Sequence, residues 1–207
     1  MTQFTRGLYK LTQIPVIYKM IPSLLARRDT LSHFTRDVIQ PVAGESVLDL
    51  GCGPGTLCPF LDGTRYQGVD LNPEHVTVAS EKFRQFHFQC SDAGSFLATT
   101  TEKFDLILLI GLLHHLDDAQ VVDVMQGCRK VLTEKGRVIT LDPVFEERQN
   151  PIAYLLARLD SGRNVRKADQ YLRLVQRVFP VASISIRRDL LRLPFSHAVM
   201  TSRPGRH

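Results

Sequence analysis

The four cysteines, Cys52, Cys58, Cys90 and Cys128, contain no C-x-x-C pair. That spacing argues against a zinc knuckle and against a disulfide framework, and free thiols fit a reducing cytoplasm. No apolar run approaches the roughly 20 residues of a membrane-crossing helix. The longest, Leu106 to Leu113, reads instead as a buried strand. The first ten residues have neither the apolar core nor the small-residue cleavage site of a secretory signal. No dinucleotide fingerprint G-x-G-x-x-G and no phosphate-loop Gly-Lys-Ser/Thr appears anywhere, which removes the two commonest phosphate-cradling signatures. No basic stretch interleaved with aromatics of the RNA-binding kind is visible either.

What is present is an ordinary globular composition, 43% apolar and 23% charged over 207 residues, enough for one domain with a small cap. The formal net charge of +5 is uneven. From Arg163 to the end there are ten Lys/Arg against two acids, Asp169 and Asp189. This basic third suits an anionic substrate, a nucleic acid, a membrane surface, or simply a solvated face.

The chain alternates strand and helix. Residues 1–40 read as helical and end at Pro41, with Ser23 as a cap before Leu24, Leu25, Leu31, Phe34, Val38 and Ile39. Strands are expected at Ser46–Leu50, Tyr66–Leu71, Phe86–Cys90, Phe104–Leu113 and Gly136–Leu141. A short helix is expected from Thr56, and longer ones at Pro73–Phe83, after Asp117 or Asp118, at Ile152–Leu159 and at Ala168–Val178. Two β-rich segments close the chain, Ala182–Ile186 and His197–Thr201. Alternation of this kind predicts a doubly wound, mostly parallel α/β sheet.

The most informative stretch is Val47-Leu48-Asp49-Leu50-Gly51-Cys52-Gly53-Pro54-Gly55-Thr56. An apolar strand ends in an acid, and three glycines at alternate positions let a ligand lie against bare backbone. An acid at the mouth of such a loop repels phosphate but suits an ammonium or a sulfonium. Asp70 ends the second strand, 21 residues further on, where a carboxylate can accept both hydroxyls of a ribose. Leu71 would flank a base, and Ser91-Asp92-Ala93 follow the third strand. Ile110-Gly111 ends the fourth strand, where backbone must come close to a ligand. In His114-His115-Leu116-Asp117-Asp118 neighbouring histidines point apart and no third ligand is suitably spaced, so a metal is not expected.

These blocks resemble motif I and its companions in the class I S-adenosylmethionine-dependent methyltransferases, and the likeness runs the length of the chain. Leu-Asp-Leu-Gly-Cys-Gly, the acid-ended second strand, Leu-His-His-Leu-Asp-Asp and a late Gly-Arg-x-x-Arg recur in that order in stand-alone small-molecule enzymes of the methyltransferase-11/12 type. The resemblance implies a Rossmann-like seven-stranded sheet with an antiparallel C-terminal strand pair, a helical cap over residues 1–44 and a cofactor domain over 45–207. It implies S-adenosyl-L-methionine as cofactor and S-adenosyl-L-homocysteine as product. The cofactor would be held by Asp49, Gly51, Cys52, Gly53, Gly55, Asp70, Leu71, Ser91, Asp92, Ala93, Ile110 and Gly111, with Tyr18 reaching over from the cap.

His114 or His115 is then either a general base or a polar wall of the methyl-transfer cavity. Asp142, Arg163 and Arg166 are candidate substrate contacts, the two arginines as an anion grip at i, i+3. Ser161, where a basic residue is usual in this pattern, departs from the family, as does Lys135 before Gly136. No Asn-Pro-Pro-Tyr motif follows the fourth strand, which argues against methylation of exocyclic amines on nucleic-acid bases. The expected reaction is methyl transfer to an oxygen or nitrogen of a small metabolite, an anionic one included, in the cytoplasm. RNA or protein as acceptor is the alternative, and the sequence does not give the oligomeric state.

Overall fold

The computed structural model describes residues 30–159, 164–191 and 195–205. One sheet organises them. Its seven-strand path runs β3-β2-β1-β4-β5-β8-β7, where β1 is Ser46–Leu50, β2 Arg65–Asp70, β3 His87–Cys90, β4 Phe104–Ile110, β5 Leu132–Phe145, β7 Ser183–Arg187 and β8 His197–Ser202. A two-residue strand, β6 (Arg166–Lys167), pairs with the far end of β5. The first five strands are mutually parallel, while β8 runs antiparallel to both β5 and β7. The doubly wound sheet with its closing antiparallel pair is therefore as expected, with β6 added.

The strand order reverses between β1 and β4, and a doubly wound sheet leaves a crevice at such a point, at the carboxyl ends of its strands. Continuous apolar sequence in β4 follows from burial on both sides. Ile107 and Leu109 enter one core with α3 (Ala93–Thr99), α4 (Asp118–Val131) and α6 (Ala168–Gln176). Leu106 and Leu108 enter the other, with Phe34, Ile39, Tyr66 and Phe83.

Local signals account for the element ends. Asn72 accepts the Glu74 N–H and starts α2 (Pro73–Lys82), which has proline in its first turn. Asp117 and Gln120 form a reciprocal capping box at the start of α4. The described end of the N-terminal helical region is α1 (Thr30–Phe34), continued by a π-turn, Thr35–Ile39, that ends at left-handed Gln40. Arg137 holds this end to β5 by donating to the Ile39 and Gln40 carbonyls and pairing with Glu45.

Three boundaries depart from expectation. The segment after the glycine loop makes only a three-residue 3-10 helix, Cys58–Phe60, with Pro59 in its first turn. β4 stops at Ile110, since Gly111 turns left-handed (φ 74°). β5 is longer than expected at both ends. It follows α4 without a loop, and its pairing with β4 shifts between Phe104/Leu132 and Leu106/Arg137. At its far end it continues past Asp142, held by Ala198 and His197 of β8 and by Arg166 of β6. The sequence carries no signal for the two-residue strand β6 that follows α5 (Pro151–Leu159). None of the helices among the described residues is long and apolar enough to cross a membrane.

Candidate functional site

The carboxyl ends of β1, β2, β4 and β5 surround the crevice. Gly51, Gly53 and Gly55 all have positive φ, at 79°, 54° and 77°. They serve different ends. A Cβ on Gly53 would meet nothing within 4 Å, so its backbone is open to a ligand. A Cβ on Gly55 would come within 2.9 Å of the Phe83 ring, so this glycine serves packing beneath the loop. Gly53 is thus the most open of the three, while a Cβ on Gly51 would make only ordinary contact with Leu112, at 3.5 Å.

Asp70 braces this loop. Its Oδ2 accepts the Gly53 N–H at 2.8 Å and its Oδ1 accepts the Asn72 N–H at 2.8 Å. His75 Nδ1 lies 3.4 Å from the same Oδ1. Each carboxylate oxygen has a second lone pair beyond these bonds. Leu71, immediately after, is 71% exposed, an apolar side chain standing in the open beside a carboxylate. Ser91 lies at the neighbouring β3 tip, its N–H donating to the Asp70 carbonyl. Asp92 is exposed and caps α3 by accepting the Ser95 N–H, and hydrogen bonding from the Ser95 side chain, with a smaller contribution from that N–H, holds its carboxyl below the usual carboxylate range. Ala93 is half-buried against the core behind it.

Asp49 and Cys52 sit deeper than the sequence suggested. Asp49 is buried, with Oδ2 accepting the Tyr66 hydroxyl at 2.8 Å. Burial pushes its carboxyl up to about 7, against the lowering effect of that hydroxyl and with a smaller raising contribution from Asp70. Cys52 is buried, and its Sγ fills space that only Gly68 on β2 leaves, because a Cβ there would approach it to 2.8 Å. Burial pushes the Cys52 thiol far up, so it is a filler rather than a nucleophile. Tyr66, a strand residue of ordinary appearance, was not anticipated as the partner of Asp49.

The other half of the crevice carries the histidines. The Gly111 N–H donates to the Leu141 carbonyl at 2.6 Å, and the turn beyond it, Leu113–His115, is a 3-10 helix. A Cβ on Gly111 would lie 3.7 Å from His114 Cε1, so the ring edge sits beside the tip of β4, next to half-buried Ile110. His114 is 5% exposed. Asp142 Oδ1 accepts its backbone N–H at 3.1 Å and lies 2.8 Å from its Nδ1. The ring of exposed His115 packs against that of His114 at 4.1 Å between centroids, tilted by 39°.

Two substrate assignments change. Asp142 has no solvent exposure, because β5 runs on beyond it; it faces the His114 ring instead of a substrate. Burial raises its carboxyl above the usual range, opposed by the bonds from His114. Arg166 is 7% exposed, lies in a strand rather than on a helical turn, and directs its donors inward. It is no anion grip. Arg163 and Tyr18, and with Tyr18 most of the 1–44 cap, lie outside the described residues.

Comparison with known proteins agrees with the fold. Residues 47–136 match the family model described as a methyltransferase domain. The ubiquinone biosynthesis O-methyltransferase of Psychrobacter cryohalolentis is 31% identical over 138 residues, covering 62% of this chain and 51% of its own length. The chain thus spans about half the length of the curated relatives it matches. Human N-acetylserotonin methyltransferase, solved in complex with S-adenosylmethionine, superposes with a TM-score of 0.63 at 20% identity, over 86% of this chain and 53% of that one. The cyclase SpnF superposes with a TM-score of 0.67 at 16% identity, over 86% and 81%. At these identities the superpositions establish the fold, and a cyclase among the neighbours shows that the fold does not dictate the reaction.

Proposed function

We propose that the chain, whose residues 47–136 match a methyltransferase-domain family model, is a class I S-adenosylmethionine-dependent enzyme moving a methyl group from that cofactor to an oxygen or nitrogen atom of a small-molecule acceptor, with S-adenosylhomocysteine as product. The residues present fit the cofactor. Open backbone at Gly53, a carboxylate at Asp70 and exposed Leu71 beside it offer, in one place, a bare surface, an acceptor for ribose hydroxyls and an apolar face for adenine. Ser91, Asp92 and Ala93 extend that wall, and Gly51, Ile110 and Gly111 line the turn between the two halves. Asp49 acts from beneath through the loop. When bound, the cofactor supplies a methyl group on a cationic sulfur, already activated for in-line displacement.

The chain's own task is alignment and, for a hydroxyl acceptor, removal of a proton. Asp142 Oδ1 already accepts the backbone N–H of His114, so it acts as acceptor toward the ring as well. That fixes the proton on Nδ1 and leaves the lone pair on Nε2, the tautomer a general base needs. The single observation carrying this reading is the buried His114–Asp142 pair at the edge of the cofactor crevice. An amine acceptor needs no such base, so the pair favours oxygen. Relatives named as O-methyltransferases support the same choice. His115, exposed and packed against His114, forms part of the acceptor wall.

We assign the enzyme to the cytoplasm, in keeping with four free thiols, and keep residues 1–44 as a cap, with Tyr18 as its cofactor contact. RNA or protein as acceptor, suggested by the basic C-terminal third, is the less favoured reading. Transfer from methyl-labelled cofactor to a panel of hydroxylated aromatics, amines, RNA and protein tests the proposal. Label in hydroxylated small molecules is expected; label confined to RNA or protein would contradict it.

A further inference from the structure

Arg166 is a nearly buried arginine, 7% exposed. It reaches the histidine turn from a different part of the chain. β6 pairs Arg166 with Val144, two residues beyond Asp142 on β5, so the two side chains meet the turn from behind through one strand pairing. The guanidinium Nη1 donates to the Leu113 carbonyl at 3.1 Å and to the Asn164 carbonyl at 3.0 Å. Nη2 donates to the Leu116 carbonyl at 2.7 Å and pairs with Asp118 at 2.8 Å, while Nε donates to the same Asp118 oxygen at 2.9 Å. The guanidinium carbon lies 5.5 Å from the centre of the Tyr171 ring.

The acceptors are not scattered. Leu113 and Leu116 bracket His114 and His115, and Asp118 opens the helix that follows. The adjacent Asn164 N–H donates to the His114 carbonyl itself at 2.9 Å. The turn is thereby held at both ends by one planar fork, at its centre by Asn164, and at its histidine ring by Asp142. Asp118 is 72% exposed on its side chain, so the ion pair is the weak part of this arrangement and the carbonyl contacts are the strong part. A lysine, with one nitrogen, cannot reach Leu113, Leu116 and Asp118 at once.

We propose that Arg166 is a positioning residue, a clamp that sets where the Leu113–Leu116 turn stands and so keeps the His114 ring against Asp142. The proposal rests on the reading of His114 as proton acceptor, and its test avoids methyl transfer so that the two can fail separately.

The test is nitrogen-15 spectroscopy on histidine-labelled full-length protein, which reads the His114 tautomer, in the parent, in Arg166→Lys and in Asp118→Ala. The parent should hold the Nδ1-protonated form in about tenfold excess, because the partner of one ring nitrogen sets the tautomer. Arg166→Lys should bring the two forms near parity, while Asp118→Ala should leave the ratio unchanged. Calorimetry with S-adenosylhomocysteine should give both variants affinities within about threefold of the parent, since neither touches the Gly53–Asp70 side. A folded, ligand-binding Arg166→Lys protein with the parent's tautomer ratio would overturn the clamp, as would Asp118→Ala matching Arg166→Lys. Should Arg166→Lys not fold, hydrogen exchange in the parent decides. The His114 and Asn164 amides, which join the turn to Asp142 and to the Arg166 segment, should open together; separate opening would also overturn it.

Discussion

The two halves of the crevice are built on opposite principles. The half at β1 and β2 is made mostly of backbone: left-handed glycines, a Gly53 N–H donated to the Asp70 carboxylate and an open space above Gly53. The half at β4 and β5 is made of side chains brought from three separate stretches, His114, Asp142 and Arg166, each less than a tenth exposed. A backbone cradle stays where the fold puts it and serves a ligand common to many enzymes. A buried side-chain cluster needs every member in place, and it is where an acceptor-specific chemistry can be set. The difference predicts that damage to one half should leave the other's task intact.

The sharpest split comes from His114→Ala and Asp142→Asn. His114→Ala should lower transfer to a hydroxyl acceptor about 10²- to 10⁴-fold while S-adenosylhomocysteine affinity stays near the parent's. Asp142→Asn should fall the same way but less far, because the ring stays while its tautomer is lost. His115→Ala should lose less than either. Steady-state rates with labelled cofactor, set beside calorimetry, check all three, and parallel losses in rate and cofactor affinity would erase the contrast.

Asp70→Ala is the reciprocal experiment. It removes the acceptor of both the Gly53 and Asn72 N–H bonds along with the ribose partner, and should weaken S-adenosylhomocysteine about 100-fold or more. The His114 resonances should stay where they are.

A pH effect follows from Asp49 at the base of the first half. Its folded carboxyl is raised from 3.8 to about 7, so the neutral form suits the folded state. The stability tied to that preference is complete below about 4 and is lost as pH rises through about 7. Asp49→Asn, which cannot ionise, should therefore melt higher than the parent at pH 8, by several degrees, with little or no gain at pH 4. Thermal melts at the two values decide it, and a gain only at low pH would reverse the sign. The smallest effect is expected from Leu71→Ala, a loss of cofactor affinity of about three- to tenfold from reduced apolar contact.

The same contrast explains what could be read from the sequence. Glycines at 51, 53 and 55, the acid at Asp70 and the cap at Asn72 act through local backbone geometry, and local patterns reveal them. The doubly wound sheet was legible for a similar reason, since strand and helix periods alternate in order. The His114–Asp142 pair joins residues 28 apart, and the Arg166 clamp spans about 50. Each member stood out singly, but the partnership depends on β5 running past Asp142 and on β6 forming beside it. Asp142-Pro143 reads as the end of a strand, so the carboxylate looked as though it faced the open mouth. Tyr66 was hidden in the same manner, an aromatic in a strand whose hydroxyl meets Asp49 only once β1 and β2 pair. The three glycines show the reverse case, where one motif conceals two roles that only the neighbour Phe83, beneath Gly55, distinguishes.

Calorimetric titration of the intact protein with S-adenosylhomocysteine tests the central claim most directly. Binding at one site per chain, in the micromolar range or tighter and abolished by Asp70→Ala, is the predicted result. Well-folded protein that takes up none of it, or binds it as well without the Asp70 carboxylate, would contradict the account.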